Sequence, residues 1–596
     1  MHATKPLDAG TGRLCASFDV TTAAWLSLGA PHDLHGFVEL SAVPPFDERL
    51  RGDPAATRRL RQAMTLGAHA FLSVEIDGEA PVLEADPSDP ARPRWSDAGV
   101  TVNVEADAEE SVIRQRWSIH GEPRQAVQII LRGRLDRPAL AEITELEPPV
   151  PTDAETTFTI DHEVARIEAD GLPAAAMISV RGSRVAWQHT GDGMIGRLSS
   201  PSGADANSFT IQASIEPLPP GVSGAGAGRA GTTIDRLTHR AMTYIRGCTA
   251  LRLAVDERVI LTDHRILPLS WTRDAYWQAL ALLAADGPGD RERVADHLRW
   301  LWRRCERPDG RWVRSHHANG RRKDLAFQAD QQLYPLIELA DYWRLTEALP
   351  GGVDWSSEVM RAWHATLEQV DPATGLIASA ENAADDPAVA PYIAGSQILL
   401  WYAASRVAEM ATRTGLTIDV RAMQSIADAA RTAFETHVAA GHRPWPYAVD
   451  GTGSRVAYHD ANDLPLPLAP LWRFCGPADP GWRASMAFAF SPANPGWTDG
   501  ELAGLGSAHT PGVWTLGDLQ AWIYARVVGD ASAAQPALQR LEMVAFADGM
   551  LPEAYDPDGD ERIRHWFAWP GAALAALRIL DRDGRLESRL AVLPVR

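Results

Sequence analysis

The hydrophobic pattern of this chain changes its period near residue 220, and that change constrains the fold more than any other feature. From about residue 12 to 220, apolar residues alternate with polar ones or form short runs between glycine-containing turns, which is typical of antiparallel strands. Beyond residue 232 the apolar residues recur with the spacing of α-helices. The sequence therefore predicts a β part followed by an α part.

A segment rich in Gly, Ala and Pro, LPPGVSGAGAGRAG at 218–231, lies where the pattern changes. Such a composition disfavours regular structure and is typical of a linker. We therefore expect an N-terminal antiparallel β-sandwich domain over 1–220, a Gly/Ala-rich linker over 221–233, and a helical domain over 234–596. The length of 596 residues is ample for two or more domains.

The helical part predicts about eleven helices of ordinary length, joined by irregular loops. They cover about 234–247, 273–285, 289–305, 330–346, 355–369, 393–412, 419–438, 463–474, 515–528, 532–546 and 567–580. Helices of this kind suit a ring of antiparallel hairpins, an (α/α)6 toroid whose inner helices open their loops to one end. A solenoid of helical repeats is the alternative. In the β part we expect strands at 70–76, 100–104, 112–119, 126–131, 176–181 and 209–213, and a helix near 54–64.

Composition narrows the class of partner. The formal net charge of -20 disfavours nucleic acid and anionic membrane surfaces. No apolar stretch of membrane-spanning length and no signal-peptide pattern occur in the sequence, so we expect a cytoplasmic protein. The 21 tryptophans outnumber the 13 phenylalanines and 10 tyrosines, and flat indole rings stack on the apolar faces of sugars. Together these features favour an uncharged substrate such as a carbohydrate.

The sequence predicts neither a metal ion nor a cofactor. The four cysteines lie singly, without the spacing of a zinc site. His316 and His317 are adjacent, but no third ligand has a recognisable spacing. The cluster of Asp460, Asn462 and Asp463 resembles a calcium loop, yet it lacks the glycine and the closing glutamate of an EF-hand.

Polar residues collect at the start of two predicted helices. Asp330, Gln331 and Tyr334 lie at the start of one, away from its apolar stripe, where they would face a cavity. Trp271, Arg273 and Asp274 precede or open another, and in a cavity the Arg–Asp pair would clamp vicinal hydroxyls. Both groups also have ordinary explanations, because Asp330 fits a helix N-cap and Arg273 with Asp274 fits a surface ion pair.

Further polar and aromatic residues occupy loops between the predicted helices, where a helical scaffold does not need them. They are Trp312 and His316; Asp460, Asn462 and Asp463; His509 and Trp514; and Glu553 and Trp569. Capping of the following helix is the alternative for the cluster at Asp460, and a surface position is the alternative for Glu553. His32 and His35 of the first domain either reach the same pocket or cap a strand.

Hydrolysis of a glycosidic bond needs two carboxyl groups, one protonated and one ionised. Asp330 and Glu553 belong to the fourth and the last predicted helices. If the helices close a ring, the last one adjoins the first, and the two acids then lie on neighbouring sectors of one mouth. The residues therefore favour an exo-acting glycosidase that hydrolyses terminal sugars.

Several short motifs, in this order, resemble those of glycoside hydrolase family 125. They are Gln328-Ala-Asp330-Gln-Gln-Leu-Tyr-Pro335, Asp341-Tyr-Trp343, Asp460-Ala-Asn462, Ser491-Pro-Ala-Asn-Pro495, Gly504-Leu-Gly-Ser-Ala-His509, Leu551-Pro-Glu553-Ala-Tyr555 and Trp566-Phe-Ala-Trp569. The chain is more loosely similar to the glucoamylase-like enzymes of family 15, some of which carry a β-sandwich ahead of the barrel. Gln328 and Pro552 depart from the family 125 pattern, which has an acidic residue and a histidine there.

The resemblance implies a metal-independent, inverting exo-α-mannosidase with an (α/α)6 barrel. It implies that Asp330 is the general acid and Glu553 the general base, with Arg273 and Asp274 gripping the terminal sugar. We therefore expect an α-linked glycoside or oligosaccharide as substrate, with neither nucleic acid nor a membrane as partner.

Three alternatives to an α-mannosidase-like enzyme remain open, and so does the oligomeric state. The first is a glucoamylase-like α-glucosidase. The second is a phosphorylase that uses Arg562, Arg564 and His565 for phosphate. The third is a noncatalytic glycan-binding protein.

Overall fold

The structure is a computed structural model that describes most of the chain. The described residues are 5–44, 49, 54–97, 99–109, 111–120, 126–138, 155–199, 208–216, 235–441, 443–559 and 561–593. The predicted linker 221–233 lies outside them, so the expected domain limits stay a prediction.

The N-terminal part forms two antiparallel sheets. Its strands are β1 Leu7–Gly10, β2 Cys15–Phe18, β3 Trp25–His32, β4 Gly36–Ser41, β5 Leu72–Ile76, β6 Glu84–Asp86, β7 Arg94–Ser96, β8 Val100–Asp107, β9 Val112–Ile119, β10 Val127–Arg132, β11 Arg134–Asp136, β12 Thr156–Asp161, β13 Val164–Ala169, β14 Leu172–Arg181, β15 Arg184–His189, β16 Gly193–Ser199 and β17 Ser208–Glu216. Within the described residues, one sheet runs β1-β2-β3-β5-β10-β16-β15, with β4 paired to β3 and β11, and the other runs β12-β13-β14-β17-β9-β8-β7-β6. The six predicted strands are confirmed within these elements.

A hydrophobic core lies between the two sheets, because each strand turns alternate side chains inward. Val102, Val104 and Ile113 are among its buried members. The indole Nε1 of Trp25 in β3 donates to Gln115 Oε1 in β9 at 2.7 Å. This hydrogen bond joins the two sheets and gives two buried polar groups a partner. The predicted antiparallel β-sandwich is therefore confirmed.

The rest of the chain is mainly helical. The helices are α1 Pro54–Ala63, α2 Arg236–Tyr244, α3 Thr272–Ala285, α4 Asp290–Arg299, α5 Ala329–Thr346, α6 Trp355–Leu367, α7 Ala394–Thr414, α8 Val420–Ala433, α9 Pro465–Trp472, α10 Pro480–Ala489, α11 Thr515–Val528, α12 Ala531–Val544, α13 Ala568–Arg582 and α14 Leu586–Leu590. Each predicted helix is present. The short α10 was not predicted, although Asp479 caps it and Pro480 occupies its first position, both of which are helix-start signals.

The helices alternate between an inner and an outer ring. In the inner ring, α3, α5, α7, α9, α11 and α13 each pack against the next, and α13 packs against α3 to close the circle. The outer helices α2, α4, α6, α8 and α12 pack against α13, α3, α5, α7 and α11. Trp482 of α10 donates to the Leu466 carbonyl of α9 at 2.9 Å. This arrangement is the predicted (α/α)6 toroid, and it excludes an open solenoid.

Short strands fix the loops beside the inner helices. They are β18 Ala250–Ala254, β19 Glu257–Ile260, β20 Leu269–Ser270, β21 His316–His317, β22 Tyr392–Ile393, β23 Ala448–Val449, β24 Arg455–Val456, β25 Trp497–Thr498, β26 Gly504–Leu505, β27 Val513–Trp514, β28 Ala554–Tyr555 and β29 Arg562–Ile563. β20, β22 and β27 directly precede α3, α7 and α11, so they set the positions of side chains at the start of those helices.

The helix α1 belongs in part to the toroid, although it lies within the β part of the sequence. Leu60 and Met64 are buried in the same hydrophobic cluster as the inner helices, together with Phe37 of β4. A buried ion pair between Arg240 of α2 and Asp8 of β1, 2.5 Å apart, also joins the two parts. The sandwich and the toroid therefore share packed contacts. No helix among the described residues is long and apolar enough to cross a bilayer.

Candidate active site

A cavity of about 310 Å³ lies at the N-terminal ends of the inner helices. Its wall includes eight of the residues predicted from the sequence to bind or act on a sugar: Trp271, Arg273, Asp274, Asn462, His509, Trp514, Glu553 and Trp569. They come from the starts of α3 and α13 and from the loops before α9, α11 and β28. The volume and the mixture of aromatic and polar walls are typical of small-molecule sites.

Glu553 is held at the cavity by the small sheet of β27, β28 and β29. Its backbone N–H donates to the Ile563 carbonyl at 3.0 Å, and its own carbonyl accepts from the Thr515 N–H at 3.2 Å. This pairing places Glu553 beside Arg564, whose Nε lies 2.9 Å from the carboxylate Oε2. Oε2 forms no hydrogen bond within the described part of the chain. One carboxylate is thus fixed in the wall with an oxygen available for a further donor.

Arg273 connects several acidic side chains at and beside the cavity. Its Nη1 donates to Asp330 Oδ2 and to Gln328 Oε1, each at 3.0 Å, and its Nη2 donates to Asp385 Oδ1 at 3.4 Å. Burial disfavours the positive charge, but Asp330, Asp274 and Asp385 together raise the pKa of Arg273. The guanidinium therefore remains charged and organises this side of the cavity.

Asp385 is a wall residue that the sequence did not single out. Its carboxylate lines the cavity and accepts hydrogen bonds from Gln328 Nε2 at 2.6 Å and from Trp271 Nε1 at 3.0 Å. Its backbone is left-handed, with φ of 67°, a conformation that costs energy for a residue other than glycine and is concentrated at functional sites. Burial raises its pKa, but Arg273 and Gln328 outweigh burial, so the pKa of Asp385 lies below its usual value.

Asp274 lies in the first turn of α3, where the helix dipole favours a carboxylate. Its Oδ2 accepts a hydrogen bond from the Thr262 hydroxyl at 2.5 Å, whereas Oδ1 has no hydrogen-bond partner among the described residues. Burial raises the pKa of Asp274 to about 6, against the opposing effects of Arg273 and Thr262. This carboxyl group therefore changes its charge close to neutral pH.

Aromatic and polar groups complete the wall. The guanidinium of Arg273 lies 4.7 Å from the centre of the Trp569 ring, and the indole Nε1 of Trp514 donates to the Thr510 carbonyl at 2.9 Å. Asn462 donates to Asp460 Oδ1 at 2.9 Å, while its own Oδ1 has no partner among the described atoms. The ring Nδ1 of His509 lies 3.1 Å from Asp386 Oδ1. Such rings and amides match the faces and hydroxyls of a sugar.

Asp330 and Gln331, both predicted to act at the cavity, are not among the described residues that line it. Asp330 Oδ2 accepts from Arg273, and Asp330 Oδ1 accepts from the Gln331 N–H at 2.9 Å. Gln331 Oε1 accepts from the Thr272 hydroxyl and from the Arg273 N–H at 3.1 Å. These residues of α5 therefore support the start of α3 instead of lining the cavity.

Three other predicted binding residues are buried outside the cavity. Trp312 packs edge-on against Trp302 with ring centres 4.9 Å apart, and Tyr334 packs against Tyr276 at 4.9 Å. The Nε2 of His316 lies 3.0 Å from the Glu306 carbonyl, and burial lowers its pKa to about 4. Their aromatic and imidazole rings serve packing between helices.

Asp460 and Asp463 also lie behind the wall. Asp460 accepts hydrogen bonds from the hydroxyls of Tyr458 at 2.6 Å and Ser507 at 3.0 Å, so it orients the loops around Asn462. Asp463 is buried against Gly395, where an added Cβ would meet its Oδ1 at 2.1 Å. Burial and the charge of Asp460 raise the pKa of Asp463 to about 7.

Of the residues considered for phosphate, only Arg564 lines the cavity. Arg562 donates to the Val544 carbonyl at 3.0 Å, and His565 stacks on Phe546 at 5.2 Å. His32 does not reach the cavity either, since its Nδ1 accepts from the backbone of Leu34 and its neighbour His35. The described residues contain no group of three or more side chains suited to hold a metal ion.

The sequence also missed four charged residues of the wall: Arg61, Arg314, Lys323 and Asp385. Arg61 comes from α1 and is separated by more than two hundred residues of sequence from the other residues of the wall. Arg314 lies between Trp312 and His316, and only these two neighbours were predicted from the sequence to bind a sugar. Asp385 lies in a loop without helical periodicity, and an Asp-Asp pair in such a loop is ordinarily a turn.

Residues 356–579 match the family model described as metal-independent alpha-mannosidase (GH125). No curated protein sequence matches the chain. A metal-independent alpha mannosidase of Streptococcus pneumoniae, solved in a non-productive substrate complex with alpha-1,6-mannobiose, is 20% identical with a TM-score of 0.50, covering 58% of this chain and 93% of that one. A bacterial glucoamylase solved with acarbose is 12% identical with a TM-score of 0.61, covering 99% of this chain and 95% of that one.

The two structural similarities concern the fold, and the family match concerns the sequence of the helical part. The glucoamylase similarity extends over the sandwich and the toroid together, whereas the mannosidase similarity covers 58% of the chain. The exo-acting glycoside hydrolase predicted from the motifs is confirmed by the family match. The chain is therefore a glycoside hydrolase whose helical part is similar to the metal-independent α-mannosidases of family 125.

Proposed function

We propose that this glycoside hydrolase removes a terminal α-linked mannose by an inverting mechanism that needs no metal ion. The observation that carries the proposal is the presence of two carboxylates in the wall of one cavity, Glu553 just before β28 and Asp385 in the loop before α7. The family match over 356–579 supports mannose as the sugar.

In this proposal Glu553 is the general base. Its Oε2 has no hydrogen-bond partner among the described residues, and the Nε of Arg564 lies 2.9 Å from it. An ionised carboxylate in this position accepts a proton from a water molecule as that water attacks the anomeric carbon. Attack from the face opposite the leaving group inverts the configuration.

The general acid gives its proton to the glycosidic oxygen as the bond breaks. Asp330 was predicted for this role, and its carboxylate is held by Arg273, whereas Asp385 on the same guanidinium lines the cavity. We therefore assign the acid role to Asp385 and a positioning role to Asp330. Because Arg273 and Gln328 hold Asp385 ionised at neutral pH, it takes up its proton at acidic pH or as the substrate enters.

The remaining wall residues bind the terminal sugar. Asp274 Oδ1 and Asn462 Oδ1 lack partners among the described atoms, so both accept hydrogen bonds from sugar hydroxyls. Trp271 and Trp569 offer apolar faces for the sugar ring. A cavity that accommodates one ring in this way favours exo-action.

The test is a panel of aryl α- and β-glycosides and α-linked disaccharides, with NMR of the anomer that is released first. We expect α-mannosides to be cleaved and β-mannose to appear before mutarotation. Release of α-mannose overturns inversion. An α-glucosidase is the second candidate, favoured by the similarity to glucoamylase over both parts of the chain, and a preference for α-glucosides selects it.

A further inference from the structure

The wall of the cavity carries more positive than negative side chains, although the chain as a whole has a formal charge of -20. Five basic residues face three acidic ones among the described lining residues: Arg61, Arg273, Arg314, Lys323 and Arg564 against Asp274, Asp385 and Glu553. A concave site that reverses the sign of the surrounding protein concentrates ligands of the opposite charge. A neutral sugar alone does not require this reversal.

Two of the basic residues, Arg314 and Arg273, are already neutralised by carboxylates in or beside the wall. Arg314 lies 2.6 Å from Asp324 and 3.2 Å from Glu381. Arg273 is paired with three carboxylates, as described above. Arg61 and Arg564 together face a single wall carboxylate, Glu553, so one positive charge remains beside it.

Arg61 forms no hydrogen bond or ion pair with any part of the chain that the structure describes, and its Nε is buried. Burial, followed by the charge of Arg564, lowers its pKa to about 10, and Glu553 opposes that change. A guanidinium with a buried, unsatisfied donor is costly for the protein to retain. Its planar fork of donors matches a carboxylate or a phosphate.

Arg564 lies next to the same position. Its Nε is 2.9 Å from Glu553 Oε2, but the contact does not have the alignment of a hydrogen bond, and Nε is buried without another partner within the described residues. Its backbone is left-handed, with φ of 56°, a strained conformation for a long side chain. Two arginines with unsatisfied donors thus face the cavity beside Glu553, one from the toroid and one from α1.

We propose that Arg61 and Arg564 bind an oxyanion beside Glu553, and that this oxyanion is a carboxylate or phosphate group on the sugar that the enzyme releases. This proposal rests on the proposed glycosidase function of the same cavity. Free inorganic phosphate offers the same chemistry, and the arms of the test separate the two sources. The helix α1 is in either case part of the substrate site.

The first arm measures binding by calorimetry to the full chain, and it needs no hydrolysis. The probes are mannose, mannuronic acid, mannose 6-phosphate and inorganic phosphate. We expect at least one of the acidic sugars to bind about tenfold or more tightly than mannose, as one charge-assisted contact allows. Equal or weaker binding of both acidic sugars, with no phosphate binding, overturns the proposal.

The second arm uses variants of one helix. Arg61→Gln is expected to abolish the preference for the acidic probe, Arg61→Lys to retain part of it, and Arg59→Gln to leave it unchanged, since Arg59 is exposed on α1 and does not line the cavity. The melting temperatures of the variants report whether each folds. A preference that survives in a folded Arg61→Gln protein overturns the role of Arg61.

The third arm follows the product on neutral α-mannosides with and without phosphate. If phosphate accelerates release and mannose 1-phosphate forms, a phosphate oxygen has bonded to the anomeric carbon while the leaving oxygen took its proton from the acid. That result retains the oxyanion site and identifies its ligand as free phosphate. If phosphate only competes with acidic sugars, the anion belongs to the sugar. Hydrolysis of neutral glycosides without any anion preference leaves the glycosidase function intact and removes only this inference.

Discussion

The Nη1 atom of Arg273 lies 3.0 Å from Oδ2 of Asp330, and the same guanidinium reaches Asp385 in the cavity wall. Two carboxylates therefore share one cation, and Asp385 is the one that lines the described cavity. In the proposed mechanism Asp385 donates the proton and Asp330 holds the arginine in place.

Replacing these two acids distinguishes their roles. We expect Asp385→Asn to reduce kcat/KM on mannobiose by about 10²–10⁴-fold, the usual value of a positioned acid, and much less on a dinitrophenyl mannoside, whose leaving group needs no proton. Asp330→Asn should raise KM through a displaced Arg273 and affect both substrates alike. Steady-state kinetics on the two substrates measure this. The opposite pattern, with leaving-group dependence in Asp330→Asn alone, restores Asp330 as the acid.

Glu553→Gln keeps the shape of the wall but removes the proton acceptor. We expect kcat to fall by about 10²–10⁴-fold on every substrate, whatever its leaving group. The near-ultraviolet circular dichroism should stay that of the wild type, because the backbone of Glu553, rather than its side chain, forms the contacts with Thr515 and Ile563. Near-normal turnover in a folded Glu553→Gln protein would leave the base unassigned.

Asp274 gives sugar binding a pH dependence. Burial raises its pKa to about 6, so the group is mostly protonated below that pH and ionised above it. The carboxylate accepts more hydrogen bonds from hydroxyls than the protonated acid does, so KM for a neutral mannoside should rise as the pH falls from 7 to 5. In Asp274→Asn this change in KM should disappear. A KM that is flat in the wild type contradicts the role.

Removing Arg273 should cost stability as well as activity. The positive charge of Arg273 is buried and forms ion pairs with Asp330, Asp385 and Asp274. Because Arg273→Met leaves these carboxylates uncompensated, it should lower the free energy of unfolding by about 3–5 kcal/mol. Arg526→Met is the matched control, since its pair with Asp581 is exposed and should be worth about 1 kcal/mol or less. Urea unfolding followed by fluorescence compares the two variants.

The sequence predicted the architecture well because periodicity reports which face of each element is buried. It also singled out Arg273 and Asp274 at the entry to an apolar helix, and Glu553 in a loop, and all three line the cavity. It did not identify Asp385 or Arg61, because one lies in a loop without a period and the other on a helix of the sandwich part. Asp330 occupies a helix start like Asp274, and the sequence alone does not reveal that its carboxylate accepts a hydrogen bond from Arg273.

The contact between α3 and α13 closes the inner ring, and these helices are separated by nearly the whole helical part of the sequence. During synthesis from the N-terminus, residues 568–582 leave the ribosome after every other inner helix. Until then the toroid is an open arc, with apolar flanks on α3 and α11 uncovered and Glu553 without its place in the wall. The nascent enzyme therefore passes through a late stage that is inactive and prone to aggregate. Deletion of the C-terminal residues that include α13 should leave the protein in that stage.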